Sequence, residues 1–384
     1  MITVGIVVAE PSGDILAAGL MQALKDLIPG VRFEGVAGPK MEAVGIDCWE
    51  SMDSLSVMGL VEVLKHLPRL LKLRKSLFQR WSKKPPDLFI GVDGPDFNLT
   101  LETKLKDQGI PTVHYVCPTV WAWRQNRVKK IQKAADLVLS IFPFEKPFLA
   151  KHGIDSEYVG HSLAESMPLD VDVLAARKKL GIDSEKPVLA ILPGSRMSEV
   201  QGLSRPFLQT AAACKTEIDQ LQFVTPLANE KTAALYREQA KQYLPDTEIK
   251  ITIGDTKTCL AAADAALVAS GTATFEALLS KCPMVVGYKV QGFTYFLLRK
   301  LGMLKTEHVS MANLLSDTPL ALELLQEKCE PEYLTPALLP MLGDEQRIAS
   351  IREHYRDVHA KLRTNTNESA AHAVFSLMKE RSIV

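Results

Sequence analysis

The sequence predicts an α/β protein with parallel sheets, organised in two halves. Three observations carry that reading. Short apolar runs of strand length alternate with amphipathic stretches of helix length along most of the chain. Small polar residues, chiefly Gly, Ser, Thr and Asp, follow directly on the apolar runs, where a parallel strand hands over to a helix. The alternation breaks once, over 159–172, and then resumes, which places a linker there. A length of 384 residues fits two or three domains, and 47% hydrophobic with 23% charged residues provides an ordinary globular core.

Residues 3–9 read as a buried strand. Ser12-Gly13-Asp14 follows, with Ser12 the expected N-cap of a helix carrying Ile15, Leu16, Leu20, Leu24 and Leu27 on its apolar face, and Pro29-Gly30 ends it. Residues 31–37 form the next strand. This βαβ opening lacks G-x-G-x-x-G, so no dinucleotide fingerprint stands where one belongs. Glu10, at the strand's end, is placed either to touch a polar ligand or to sit as a loop carboxylate beside a helix start.

Residues 57–84 mix strong hydrophobicity with charge of one sign. Leu60, Leu64, Leu67, Leu71 and Phe78 are interleaved with Lys65, Arg69, Lys72, Arg74, Lys75 and Arg80, and Glu62 is the sole acid. Such a pattern suits an interfacial helix that meets anionic lipid. The competing reading is a core helix with a solvated basic face. Apolar residues on more than one face favour lipid contact through Leu64, Leu67 and Leu71, with Arg69 and Lys72 at the head groups. Pro68 is expected to start a second helix or to kink one.

Strand 88–92 ends in Asp93-Gly94-Pro95-Asp96-Phe97-Asn98, which puts two carboxylates at the carboxyl edge of a sheet, where α/β proteins bind ligands. Asp96 is expected to cap the helix 97–108, which leaves Asp93 the better candidate for a general base. Strand 111–116 leads into a loop holding Trp121, Trp123 and Arg124, which either shapes an acceptor pocket or packs a corner. Helix 126–135, strand 137–142 and a short helix at 146–152 continue the rhythm. In the linker, Asp170 and Asp172 have the D-x-D spacing that one class of sugar transferases uses to hold a metal. Here the pair precedes a helix at 173–180, so capping and solvation account for it. The eight histidines form no tight ligand set, so neither metal nor cofactor is expected.

The second half opens with strand 188–192 and Pro193-Gly194-Ser195-Arg196, a loop ready for phosphate: small residues, then a guanidinium whose donor fork matches phosphate oxygens. Strands 221–226, 249–253 and 265–269 follow. After the last, Ser270-Gly271-Thr272 stands at a helix N-terminus, where backbone N–H groups and the helix dipole favour an anion. Glu276, one turn further in, is placed to accept hydrogen bonds from sugar hydroxyls. The plain alternative for this turn is an ordinary N-cap. Residues 283–287 form another strand, 306–313 end with Asn313 in a loop, and 345–379 read as helices.

The balance of 45 basic and 45 acidic residues excludes a global charge that would draw nucleic acid. Six scattered cysteines without C-x-x-C read as reduced, cytosolic thiols. The opening MITVGIVVAE goes straight into a strand, so no secretory signal is expected, and no apolar run is long enough to span a bilayer.

Taken in order, Glu10-Pro11-Ser12-Gly13-Asp14, Asp93-Gly94-Pro95-Asp96-Phe97-Asn98, Val120-Trp121-Ala122-Trp123, Leu192-Pro193-Gly194-Ser195-Arg196, Ser270-Gly271-Thr272 with Glu276, and Asn313-Leu314-Leu315 resemble the lipid-A-disaccharide synthases of Gram-negative bacteria, over nearly the whole chain. The resemblance implies a GT-B glycosyltransferase: two Rossmann-like α/β domains facing across a cleft, with C-terminal helices. It implies an acceptor and lipid domain at 1–168 with its membrane-facing segment at 57–78, a UDP-sugar donor domain at 169–345, and a tail at 346–384 that packs across domains or is exchanged in a homodimer. The implied reaction is metal-free and inverting. It moves 2,3-diacylglucosamine from UDP-2,3-diacylglucosamine to 2,3-diacylglucosamine 1-phosphate (lipid X), giving the β-1,6 disaccharide 1-phosphate and UDP, on the cytoplasmic face of the inner membrane. Catalytic roles fall on Asp93, Arg196 and Asn313. UDP contacts fall on Gly194, Ser195, Arg196, Ser270, Gly271, Thr272 and Glu276, and the acceptor side holds Glu10, Ser12 and Trp121. The alternative is another UDP-sugar enzyme of this fold, such as a UDP-N-acetylglucosamine transferase or epimerase.

Overall fold

The computed structural model describes residues 1–55, 60–121, 127–289 and 308–384, with side chains throughout these except at 60–65. Val57, Met58, Trp123 and Arg124 lie outside the described residues, as does the side chain of Leu64. The chain divides into two compact units, Met1–Glu165 with Leu362–Val384, and Ser166–Lys361.

The first unit is built on a seven-stranded sheet in the order β3-β2-β1-β4-β5-β6-β7. The strands are β1 (Thr3–Val8), β2 (Arg32–Ala37), β3 (Asp47–Ser51), β4 (Leu88–Val92), β5 (Thr112–Tyr115), β6 (Leu137–Ser140) and β7 (Ser156–Tyr158). All pair in parallel. Helices cover both faces, so β1 and β4 read as unbroken apolar runs rather than alternating ones. The helices of this half are α1 (Pro11–Leu27), α2 (Pro39–Val44), α3 (Leu60–Lys83), α4 (Pro95–Lys106), α5 (Val128–Ala134) and α6 (Glu145–Ala150), and α7 (Ser162–Ser166) leads out of it.

Three local expectations need correcting. Helix α1 starts two residues earlier than an N-cap at Ser12 would place it: Glu10 is the N-cap and Pro11 the first helical residue, so Ser12 lies inside the helix. Proline's fixed φ makes it a natural first residue, since its missing N–H would have no partner there. Likewise α4 begins at Pro95 behind Gly94, so Asp96 does not cap it. Asp96 instead forms a two-pronged pair with the guanidinium of Arg127, at 2.6 and 2.8 Å. Third, of the two outcomes expected at Pro68, a second helix does not begin there: the proline lies inside α3, which is assigned as one helix.

Two buried side chains fix the carboxyl edge of this sheet. Asn98 sends its amide nitrogen to the carbonyls of Asp93 at 2.8 Å and of Val7 and Val92 at 3.3 Å, tying α4 to the ends of β1 and β4. Asp14 accepts from the backbone N–H groups of Lys40 and Met41 at 2.9 and 3.0 Å, capping α2 from a helix far away in sequence. The last helix, Thr366–Glu380, returns to this unit and packs on α1. Its Ala370, Ala371, Val374 and Met378 share one core with Leu20 and Leu24.

The second unit carries a six-stranded parallel sheet in the order β10-β9-β8-β11-β12-β13. Its strands are β8 (Val188–Leu192), β9 (Gln222–Leu227), β10 (Ile249–Ile253), β11 (Ala265–Ala269), β12 (Met284–Tyr288) and β13 (Leu322–Leu325). Its helices include α8 (Val173–Leu180), α9 (Met197–Glu217), α10 (Glu230–Tyr243), α11 (Thr256–Ala262) and α12 (Thr272–Leu279). The Asp170/Asp172 pair is structural, as its position before a helix suggests. Asp172 caps α8 by accepting from the Ala175 N–H at 2.9 Å, and Asp170 pairs with Arg356 at 3.1 Å. All six cysteines are free thiols. Among the described residues no helix is long and apolar enough to cross a membrane.

Candidate functional site

In a doubly wound parallel sheet, the strand order reverses once. There the flanking connections leave to opposite faces and open a crevice at the carboxyl ends of two neighbouring strands. The second unit reverses between β8 and β11, which are paired through Val268 and Leu192. A cavity of about 260 Å³ opens there. Gly194, Ser195, Arg196, Ser270, Gly271, Thr272 and Glu276 all line it, although they lie up to 82 residues apart (276 − 194).

The local backbone explains these residue types. Gly271 holds φ 136° and ψ −157°, a region closed to side chains, and turns the chain from β11 into α12. Gly194 holds φ 114°, and an added Cβ would stand 2.5 Å from the Cβ of Glu199. That closeness exposes a residue whose role the sequence reading passed over. The Glu199 carboxylate reaches back over the loop and accepts from the N–H groups of Ser195 and Arg196 at 3.0 and 3.2 Å. Its other oxygen holds the Arg196 guanidinium at 3.0 Å. Only the returning half of a capping box is present, since a guanidinium cannot accept from the Glu199 N–H; a glutamate three residues after the N-cap position is the clue the sequence offered. The guanidinium itself remains largely in solvent, at 78% side-chain exposure, so its pairing with Glu199 orients it at small energetic cost.

Glu276, lining the cavity, is partly desolvated. Burial raises its carboxyl above the ordinary range, and the charge of Lys257 partly opposes this. Asn313 does not line the cavity. It sits on a short helix, Met311–Leu314, at 4% exposure, with its amide committed to protein groups.

The first unit reverses strand order between β1 and β4, where Val8 is paired with Val92. Glu10 and Asp93 follow these strands and so stand on either side of the crevice. Asp93 has φ 51°, left-handed for a residue with a side chain, and its carboxylate accepts from the Gly94 N–H at 2.8 Å. Non-glycine residues in that region are uncommon and collect at functional sites. Glu10 senses its neighbour: partial desolvation, and next the negative charge of Asp93, push its carboxyl above the ordinary value. Ser12 is exposed on the first turn of α1.

Trp121 packs edge-on to Phe144 with ring centroids 4.9 Å apart, and its indole N–H donates to Glu145 at 3.2 Å. Glu145 also accepts from the N–H groups of Ile141 and Phe142. Burial outweighs these three donors and pushes its carboxyl up to about 8. Trp121 is therefore anchored by its neighbours.

On α3, Leu67 and Leu71 are exposed at 40% and 46%, one helical turn apart, while Leu77 and Trp81 enter the core. Arg69 and Lys72 are exposed beside them, and Arg69 donates to the Ser54 carbonyl at 2.8 Å. Two further cations also engage protein groups: Arg80 stacks on Trp49, 3.4 Å from its ring centroid, and Arg74 donates to the Asp96 carbonyl. Among the described residues no group of His, Cys, Asp and Glu side chains has the arrangement of a metal site.

A family model described as lipid-A-disaccharide synthetase matches residues 4–377. The chain is 48% identical to the lipid-A-disaccharide synthase of Pectobacterium carotovorum over 380 residues, covering 99% of each chain. It is 48% identical to that of Escherichia fergusonii, covering 98% of each. Among solved structures it is similar to a Staphylococcus aureus MnaA–UDP co-structure, with TM-score 0.64 and 14% identity, covering 100% of this chain and 98% of the other. It is also similar to a UDP-GlcNAc 2-epimerase from Neisseria meningitidis bound to UDP-GlcNAc, with TM-score 0.61 and 12% identity over 99% and 100% of the two chains. These neighbours place the fold in the GT-B class of paired Rossmann-like units.

The coupling of Glu10 to Asp93 is open to direct titration. In Asp93→Asn the nearby negative charge is gone, so the Glu10 carboxyl should titrate at lower pH than in the parent, while remaining above an ordinary glutamate because desolvation persists. A carbon-detected NMR titration of the Glu10 side chain reads this. An unchanged midpoint would show that the two carboxylates do not interact.

Proposed function

The chain belongs to the lipid-A-disaccharide synthase family, and on that premise we propose how its residues carry out the family's transfer. The donor is UDP-2,3-diacylglucosamine and the acceptor is 2,3-diacylglucosamine 1-phosphate. The observation that carries this reading is the convergence of seven motif residues from two strand ends on one cavity at the β8/β11 reversal. The nucleotide diphosphate rests on the first turn of α12 and on the loop 193–196. Glu276 takes ribose hydroxyls. The acceptor sugar meets Glu10 and Asp93 of the first unit.

The chemistry then follows from charge movement. The acceptor 6-hydroxyl oxygen attacks the anomeric carbon of the donor from the face opposite the leaving group. Asp93 takes the hydroxyl proton as the new C–O bond forms. The old bond to the diphosphate breaks with its electron pair leaving on UDP, and the anomeric centre inverts. A base in this position contributes about 10²–10⁴-fold. Arg196 and the N–H groups at the start of α12 stabilise the charge that grows on UDP, without a metal. Epimerase chemistry, the alternative allowed by the fold alone, is not favoured by relatives of 48% identity named as synthases.

Both substrates carry acyl chains, and α3 offers the surface that would meet the membrane holding them. Leu67 and Leu71 would enter the acyl boundary, while Arg69 and Lys72 face anionic head groups on the cytoplasmic side of the inner membrane. Each such cation contributes about 1 kcal/mol near the surface. In a homodimer with exchanged C-terminal segments, the helix Thr366–Glu380 of the partner would fill the seat on α1, leaving the contacts the same and changing only their ownership.

The division of roles predicts different failures for two variants. Asp93→Asn should lower turnover by roughly 10²–10⁴-fold and leave UDP affinity near that of the parent. Arg196→Ala should lower turnover and weaken UDP binding as well. Calorimetry with UDP, run on both, separates them, and a folded Asp93→Asn that no longer binds UDP would reverse the assignment of the two units.

For the membrane face, Leu67→Ser combined with Leu71→Ser should reduce co-sedimentation with phosphatidylglycerol vesicles while the melting temperature stays close to the parent's, because both side chains are already exposed. A large fall in melting temperature would make these leucines part of the core.

A further inference from the structure

We infer that Asn313 is a positioning residue and that Glu323, on β13, is its working partner. Together they hold the turn 308–311 against the start of α12 and thereby shape the nucleotide end of the cavity. The inference rests on the proposed UDP site and concerns how that site is held.

A side-chain amide has two N–H donors and an oxygen with two lone pairs. In Asn313 all four are engaged. The nitrogen donates to the Ala321 carbonyl and to a Glu323 oxygen, each at 2.8 Å. The oxygen accepts from the N–H groups of Leu320 and Ala321 at 2.8 and 2.9 Å. With 4% exposure and no remaining valence, this side chain has nothing left to offer a phosphate or a sugar. Its effect must pass through what it holds.

Glu323 carries that effect. Its carboxylate is 9% exposed and accepts from the N–H groups of Val309 and Ser310 at 2.9 and 3.0 Å, besides the Asn313 amide. Those N–H groups belong to the turn that touches α12. There the Met311 N–H donates to the Thr274 hydroxyl at 3.0 Å, and that hydroxyl donates to the Gly271 carbonyl at 2.8 Å. The Val309 carbonyl accepts from the Ser270 hydroxyl at 3.2 Å. Ser270 and Gly271 line the cavity, so a continuous chain of hydrogen bonds runs from the amide to the phosphate-facing turn. A buried carboxylate satisfied by three donors is held firmly, and removing one partner loosens the whole set. Strand β13 thus supplies more than an edge to the sheet: it brings Glu323 beside Val286 of β12 and under the turn.

The test is UDP affinity and melting temperature in Asn313→Ala, Glu323→Gln, their double variant, and Thr274→Val, measured with the full chain. We expect each single variant at Asn313 and Glu323 to lose UDP affinity by on the order of tenfold, with the double no worse than the poorer single, because both act through one unit. Thr274→Val keeps the buried shape and cuts the same chain at its far end, so it should also bind UDP more weakly and decides the matter if the others do not fold. If Asn313→Ala loses affinity while Glu323→Gln and Thr274→Val bind like the parent, Asn313 touches the ligand and the inference is overturned. It is equally overturned if all folded variants bind like the parent. Failure of the parent itself to bind UDP would instead remove the proposed function.

Discussion

A parallel sheet can bring polar groups together without burying them unpaired at only one kind of place, the carboxyl end of two strands where the winding direction reverses. Each unit of this chain has one such place, between β1 and β4 and between β8 and β11. Strand ends leave their last carbonyls outside the ladder, so each reversal has to be secured. In the first unit Asn98 does this by bonding three carbonyls around the crevice, which frees Glu10 and Asp93 for other work. In the second, Glu199 secures the loop after β8 and the Asn313–Glu323 pair secures the turn beside α12.

The two sites differ in electrostatic character. The first collects carboxylates: Glu10 and Asp93 lie close enough for one to raise the other's affinity for protons, which suits proton acceptance. The second collects donors, with Arg196 and a helix N-terminus, and lines the cavity with two carboxylates, Glu199 engaged by the loop and Glu276 desolvated. A proton-accepting site and an anion-holding site are the two requirements of a metal-free sugar transfer from a nucleotide.

Much of this was legible in the sequence because the decisive units are local. Strand, turn and helix follow one another within about twenty residues, and Pro193-Gly194-Ser195-Arg196 and Ser270-Gly271-Thr272 announce their backbone needs through residue type. What escaped reading depends on partners distant in sequence or on proline's effect on helix starts. Ser12 and Asp96 look like caps, but Pro11 and Pro95 claim the first helical positions. Asp14 received no role from its local sequence, yet it caps α2 across 26 and 27 residues. The strands β3, β7 and β13 are short and partly polar, so no apolar run marked them. Around Asn313, the residues that engage its amide, Ala321 and Glu323, follow eight and ten positions later and carry no local pattern that marks them. On α3 the sequence showed apolar residues on more than one face. The fold divides them, sending Leu77 and Trp81 inward and leaving Leu67 and Leu71 outward.

The central claim, a transfer that needs both sites at once, is tested most directly by following UDP release from UDP-2,3-diacylglucosamine by the purified chain in mixed micelles containing EDTA, with and without 2,3-diacylglucosamine 1-phosphate. The account predicts that UDP appears in step with a β-1,6-linked disaccharide only when the acceptor is present. Equal UDP release without the acceptor, or loss of activity in EDTA that a divalent cation restores, would contradict it.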